Sequence, residues 1–149
     1  MSESHYHRVD VPAEHAHKFT FAVVRNPYDR MMSMWRYLKT FTSGLPDGLV
    51  LDTPADVVRF CLGMPEGTQW WSQARMLSVS RIDAVLRYET IEDGLRELPF
   101  VTTWHPLPWT NETYGDTYQS PEFIALVNEF ERDSFEQFGY FEKCALAQL

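Results

Sequence analysis

The stretch that most constrains the fold is a short apolar run at residues 19–24 that leads directly into a helical pattern. The run FTFAVV is rich in β-branched and aromatic side chains and shows little alternation, which predicts a strand buried on both faces of a parallel sheet. After Arg25, Asn26 is a good helix cap and Pro27 suits the first helical position. Apolar residues then recur at helical spacing, which predicts a helix over about residues 27–39.

Arg25 lies at the junction of this strand and helix, and Ser33 lies two turns along the helix on the same face as Asn26. In open α/β sheets, ligands bind at the carboxyl edge of the strands, where the free N–H groups of a helix start favour anions. A guanidinium and a hydroxyl at this place predict a site for a phosphate monoester. The alternative is structural: Arg25 pairs with Asp29 or with the C-terminal end of another helix, and Ser33 is solvated.

The segment VVRNPYDRMMSMWRY resembles the 3′-phosphate-binding element of PAPS-dependent sulfotransferases, most closely of the carbohydrate-type branch called family 2. In that element an Arg ends a strand and a Ser follows eight residues later. The resemblance implies that Arg25 and Ser33 hold the 3′-phosphate of PAPS, which is released as PAP. Four weaker motifs continue it in order, to about residue 141: WSQ at 71–73, VLRYE at 85–89, LPWTNET at 107–113 and DSFEQFGY at 133–140.

The sequence departs from this family before the first predicted strand. Sulfotransferases carry a P-K-T-G-like loop there, whose lysine and backbone amides hold the 5′-phosphosulfate. Residues 1–18 contain no glycine, and Lys18 is their one lysine. We therefore expect an α/β fold with a parallel sheet flanked by helices, which resembles the sulfotransferase variant of the P-loop NTPase-like fold but is N-terminally incomplete. The chain is then part of a longer enzyme, or is completed by a partner chain or a homodimer, or binds ligand without catalysis.

The resemblance implies transfer of a sulfuryl group from PAPS to a hydroxyl of a carbohydrate or small-molecule acceptor. Some members use a His upstream of the strand as general base, which corresponds here to His5 or, as an alternative, His7. Glu89 ends the second predicted strand, at 82–88, and is a second candidate base. The alternatives are a solvated His and a carboxylate that caps a helix or pairs with an Arg. The alternative function is a non-catalytic PAP-binding, nucleotide-binding or interaction protein.

Size and charge limit the remaining possibilities. A chain of 149 residues, 44% of them hydrophobic, predicts a single domain over 1–149 with a polar N-terminal segment at 1–18. A net charge of −8 argues against nucleic acid or an anionic membrane as partner. The sequence shows no signal peptide and no apolar run that could span a bilayer, so we expect a cytoplasmic protein. The two H-x-H pairs lack a completing Cys or carboxylate, and we predict no metal site.

Proline-marked starts predict two further long helices. Thr53 and Pro54 begin one that ends at Gly63, and Ser120 and Pro121 begin a last helix that continues to Gly139. Shorter helices are predicted near 70–77 and 92–98. Of the neighbouring tryptophans Trp70 and Trp71, one is expected to pack in the core and the other could wall an adenine or sugar ring.

Overall fold

The computed structural model describes residues 13–40, 47, 49–64, 70–79, 81–108 and 117–145. These residues form an α/β fold. Its strands are β1 (Phe21–Val24) and β2 (Ala84–Arg87), and its helices are α1 (Pro27–Thr40), α2 (Pro54–Gly63), α3 (Gln73–Ser78), α4 (Ile91–Arg96), α5 (Pro121–Phe130) and α6 (Arg132–Phe138). Short 3₁₀ turns occur at Ala13–His15 and Tyr88–Thr90. Among these helices, none has both the length and the apolar composition that crossing a bilayer requires.

The two strands pair in parallel, as predicted, and form the only sheet within the described residues. Both are shorter than the apolar runs that predicted them. Asp83 fixes the start of the pairing, because its carboxylate accepts the Thr20 N–H at 2.8 Å and its own N–H donates to the Thr20 carbonyl at 2.8 Å. The pairing places the carboxyl ends of β1 and β2 side by side, since Val24 lies opposite Arg87.

Helices lie on both sides of this sheet but cover it incompletely. On one side, Val24 is buried with Ala74 of α3 and Phe138 of α6. On the other side, Leu86 lies against Gly94 of α4. The expectation that the first strand is buried on both faces is wrong. Phe21 and Val23 remain 38% and 45% exposed, because a sheet of two strands offers too little width for helices to enclose both faces.

The main core lies between helices rather than on the sheet. Side chains of α1, α2, α5 and α6 form one continuous cluster: Tyr28, Met31, Met32, Trp35, Leu38, Ala55, Val57, Val58, Cys61, Phe123, Val127 and Phe135. Trp70 joins it and meets Phe60 edge to face, with ring centroids 4.9 Å apart. Trp70 is therefore the tryptophan that packs in the core.

The capping residues identified in the sequence act as predicted. The N–H of Thr53 donates to the Asp56 carboxylate at 2.7 Å, and the Ser120 hydroxyl accepts the Phe123 N–H at 3.1 Å. Helix α1 extends to Thr40, one residue beyond the predicted end.

The predicted single last helix is wrong, because the chain breaks at Glu131 into α5 and α6. Glu131 has φ −105° and ψ 18°, outside the helical region, and its side chain is fully buried. Its carboxylate accepts hydrogen bonds from Arg30, Gln73 and Ser134. The break therefore coincides with a buried carboxylate, two of whose three partners, Arg30 and Gln73, lie on distant elements. Gly139, with φ 69°, ends α6 as predicted.

Candidate functional site

The candidate site begins where β1 passes into α1. The backbone of Arg25 is held by the side-chain amide of Gln73, which accepts the Arg25 N–H at 2.7 Å and donates to the Arg25 carbonyl at 2.9 Å. Gln73 is 4% exposed. It acts like one residue of an adjacent strand, because it satisfies both backbone groups of Arg25 after the pairing with β2 has ended. The backbone of Arg25 is therefore held in place through both of its hydrogen-bonding groups.

The start of α1 is already hydrogen-bonded within the protein. The Asn26 side-chain oxygen accepts the N–H groups of Tyr28 at 3.0 Å and Asp29 at 3.4 Å, and the Asn26 N–H donates to Glu89 at 2.6 Å. The expectation that free N–H groups of this helix start attract an anion is wrong for these three groups. An anion here depends on side chains instead.

Arg25 presents its guanidinium at the carboxyl edge of the sheet. The guanidinium carbon lies 4.6 Å from the ring centroid of Tyr88, the residue that follows β2. Among the described residues, the guanidinium donates no hydrogen bond, so its N–H groups remain able to make bidentate contacts to an anion. Among the described residues, Arg25 forms no ion pair with Asp29.

A neighbouring arginine takes the other structural role that was open for Arg25. Arg87, the last residue of β2, donates to the Phe138 carbonyl at 2.6 Å and to the Gly139 carbonyl at 3.2 Å, at the end of α6. It also lies over the Tyr140 ring at 4.9 Å. The two arginines at this edge therefore differ, because Arg87 stabilises a helix C-terminus and Arg25 does not.

Ser33 lies on α1 and is partly buried. At 1.5 Å per residue it is about 10 Å along the helix axis from Asn26. Seven residues correspond to two turns, so Ser33 and Asn26 share one face of α1. No contact joins Ser33 to Arg25 directly, and a ligand held by both would bridge the space between them.

Glu89 lies beside Arg25, as the shared edge predicts. One of its oxygens accepts the Asn26 N–H and the other accepts the Tyr140 hydroxyl at 2.8 Å. Partial burial acts to raise the pKa of Glu89, but these hydrogen bonds and the charge of Arg25 outweigh it and hold that pKa below its usual value. Burial and the Glu89 carboxylate together raise the pKa of Tyr140. Glu89 thus connects the end of β2 to the start of α1, and its lowered pKa and two occupied oxygens make it a weak general base.

Other predicted features fall partly or wholly outside the described residues. His5 and His7 lie there, as do residues 109–113 of the LPWTNET motif. His15 and His17 are described and exposed. Within the described part of the chain, no three His, Cys, Asp or Glu side chains converge on a point where a metal ion could bind.

Trp71 lies near an open groove between α3 and α6. The groove has a volume of about 630 Å³ and is lined by Ser72, Ala74, Arg75, Ser78, Asp133, Glu136 and Gln137. The Arg75 guanidinium stacks on the Trp71 ring, with 4.0 Å from the guanidinium carbon to the ring centroid. Trp71 is therefore already covered on one face by a cation.

Sequence reasoning gave no individual role to Gln73, Tyr88, Arg87 or Tyr140, although each lies within a motif that it identified. A usable signal existed for Tyr88, because it lies between Arg87 and Glu89 in the sequence, whereas the neighbours of Tyr140 are uncharged. No local signal marks Gln73, since its partner is a backbone 48 residues away.

Arg25, Tyr88, Glu89 and Tyr140 thus come together at one edge of the sheet, with Ser33 on the adjoining helix. This arrangement offers one guanidinium and one hydroxyl to an anion, and it keeps a carboxylate ionised nearby. Comparison of the chain with family models, with curated proteins and with solved structures finds no match.

Proposed function

We propose that this chain binds the 3′-phosphate of PAPS at the carboxyl edge of its sheet, through Arg25 and Ser33. The observation that carries the proposal is the position of Arg25. It follows β1 directly, its backbone is fixed by Gln73, and its guanidinium lies over the Tyr88 ring with no ion-pair partner among the described residues. The resemblance of VVRNPYDRMMSMWRY to the sulfotransferase 3′-phosphate element gives the ligand its identity.

The chemistry of the two side chains suits a phosphate monoester. The guanidinium offers two parallel N–H donors to two phosphate oxygens, and the Ser33 hydroxyl offers one further donor from α1. Tyr88 limits the motion of the guanidinium before ligand binds, which lowers the entropy lost on binding. Because Asn26 and Glu89 occupy the N–H groups at the helix start, the affinity for phosphate depends on the side chain of Arg25.

The full proposed activity is transfer of a sulfuryl group from PAPS to a hydroxyl of a carbohydrate or small-molecule acceptor, on a fold of the sulfotransferase kind. The 3′-phosphate contact orients the donor. A base, His5 in the sequence-based hypothesis, takes the proton of the acceptor hydroxyl, whose oxygen attacks sulfur as PAP leaves. A partner chain or second copy that completes the sheet and a cytoplasmic location stay predictions.

A second candidate function is ligand binding without transfer. The state of Glu89 supports it in one respect: a carboxylate with a lowered pKa and two hydrogen bonds is a poor general base, which leaves transfer dependent on His5. The two functions share the 3′-phosphate site and differ only in turnover. An assay for PAP formed from PAPS in the presence of carbohydrate acceptors separates them. A transferase forms PAP, whereas a protein of the second kind binds PAP but does not form it.

Calorimetric titration with PAP and AMP tests the shared site, because AMP lacks the 3′-phosphate. We expect the wild-type chain to bind PAP more tightly than AMP. Arg25→Ala removes a charge-assisted contact of about 1.5–3 kcal/mol, and PAP affinity should fall by about 10-fold to 100-fold. AMP affinity should stay unchanged.

Arg59→Ala is the matched control, because Arg59 is an arginine on α2 whose partners are Asp56 and Glu122. That variant should bind PAP like the wild-type chain. Equal affinity of the wild-type chain for PAP and AMP, or equal PAP affinity in the Arg25→Ala and Arg59→Ala variants, would contradict the proposed function.

A further inference from the structure

A buried carboxylate lies behind the candidate site. Glu131, at the break between α5 and α6, is 0% exposed and accepts three hydrogen bonds. The donors are the Arg30 guanidinium, the Ser134 hydroxyl and the Gln73 N–H, the last at 3.1 Å. The Ser134 oxygen in turn accepts the Ala74 N–H at 3.0 Å. The carboxylate thus holds the first residues of α3 from two directions.

Two hydrogen-bonded connections lead from Glu131 toward the residues proposed to bind phosphate, Arg25 and Ser33. The first connection runs through Gln73, whose side chain forms hydrogen bonds with both backbone groups of Arg25. The second connection runs through Arg30, which lies on α1 three residues before Ser33 and also donates to the Trp71 carbonyl at 2.8 Å. The same carboxylate therefore connects the end of β1, which carries Arg25, to the helix that carries Ser33.

The position of this cluster argues for a purpose beyond stability. Burying an ion pair costs desolvation energy, and replacing one with apolar side chains is often neutral or stabilising. What a fully hydrogen-bonded buried network supplies is a fixed geometry among the elements that it joins. Here, these elements are the ones whose spacing sets the distance between Arg25 and Ser33.

We propose that Glu131 and Gln73 are positioning residues for 3′-phosphate binding, which set the separation of Arg25 and Ser33 without touching the ligand. This inference depends on the proposed function, because it assumes that these two side chains bind one phosphate. Bidentate recognition is sensitive to geometry, so a small displacement of Arg25 should weaken the contact to the 3′-phosphate. The remainder of the nucleotide should be unaffected.

The test compares PAP and AMP titrations of the full chain for the wild type and Gln73→Met. Methionine is close to glutamine in volume, has no group to donate to the Arg25 carbonyl and offers only a weak sulfur acceptor to the Arg25 N–H. We expect PAP affinity to fall about tenfold, equivalent to about 1.4 kcal/mol, with AMP affinity unchanged. Ser134→Ala removes one donor to Glu131, and we expect a smaller loss in the same direction. If Gln73→Met does not fold, the Ser134→Ala variant provides the test instead.

Val57→Ala serves as the matched control, because Val57 is fully buried in the hydrophobic core and makes none of the hydrogen bonds around Glu131. A purely structural role for Gln73 predicts that Gln73→Met and Val57→Ala both lose stability and both keep the wild-type ratio of PAP to AMP affinity. That result would overturn the positioning role and leave the phosphate site intact. A wild-type chain without preference for PAP would overturn the proposed function, and this inference with it.

Discussion

The helical side and the sheet side of this molecule differ in how completely they are buried. On the helical side, Tyr28, Phe123 and Val127 have no exposed surface. On the sheet side, Phe21, Val23 and Val85 are all more than one third exposed. The difference arises because four helices enclose one continuous cluster, whereas two strands cannot be enclosed on both faces. Stability should therefore depend mainly on the helices.

The candidate site lies at the boundary between these two sides. Arg25 belongs to the end of β1, Ser33 belongs to α1, and Glu89 hydrogen-bonds across the gap to Asn26 and Tyr140. Polar contacts dominate here, whereas apolar packing dominates in the helical core. A ligand site in this place would draw its rigidity from the helical side, while Arg25 and Ser33 remain partly exposed at the sheet edge.

The largest expected effect comes from truncating one phenylalanine on each side. Phe123→Ala removes a fully buried ring from the helical core and should lower the free energy of unfolding by about 3–5 kcal/mol. Phe21→Ala removes a ring that is partly solvated and touches Phe100, with centroids 6.5 Å apart, and should cost about 1 kcal/mol. Urea unfolding followed by circular dichroism measures both. Equal losses would show that the sheet face is covered in solution.

A smaller effect separates the two faces of β1 itself. Val24→Thr places a hydroxyl beside Ala74 and Phe138 in a buried cluster, and it should cost about 1–3 kcal/mol. Val23→Thr places the same group on the exposed face, and its cost should stay within about 0.5 kcal/mol. The two variants differ by one position and share the same chemistry. Similar losses from both would indicate that the exposed face of β1 is shielded from water.

Local patterns predicted the elements of this fold well, because caps and helical periodicity act over a few residues. Pro27, Thr53 and Ser120 mark helix starts, and Gly139 marks a helix end, as expected. The shared edge of Arg25 and Glu89 also followed from the sequence, since parallel strands align their carboxyl ends. These predictions needed no knowledge of distant contacts.

The predictions that were wrong depend on distant contacts instead. The helix break at Glu131 follows from buried partners 58 and 101 residues away, which no local window contains. The exposure of Phe21 and Val23 reflects the width of the sheet, whereas an apolar run reports only that burial is favourable. The Asn26 N–H, just before α1, is satisfied by Glu89, which follows β2 and is 63 residues away in sequence. In each case, the missing information was which elements lie side by side.

The smallest expected effect concerns Glu89, which joins the two sides. Because its folded pKa lies below the ordinary value of 4.5, its contribution to stability is complete above that value and is lost as the pH falls through the folded pKa. Glu89→Gln should lower the free energy of unfolding by about 1 kcal/mol at pH 7, since the contacts are charge-assisted but partly solvated. Urea unfolding from pH 7 to pH 3 should show the difference in unfolding free energy between the variant and wild type shrinking below pH 4.5.

Glu129→Gln controls for the change in net charge, because Glu129 is an exposed carboxylate on α5. A difference that stays constant over this range would mean that the Glu89 charge does not hold β2 to α1, and the connection would then depend on the Tyr140 ring and its packing.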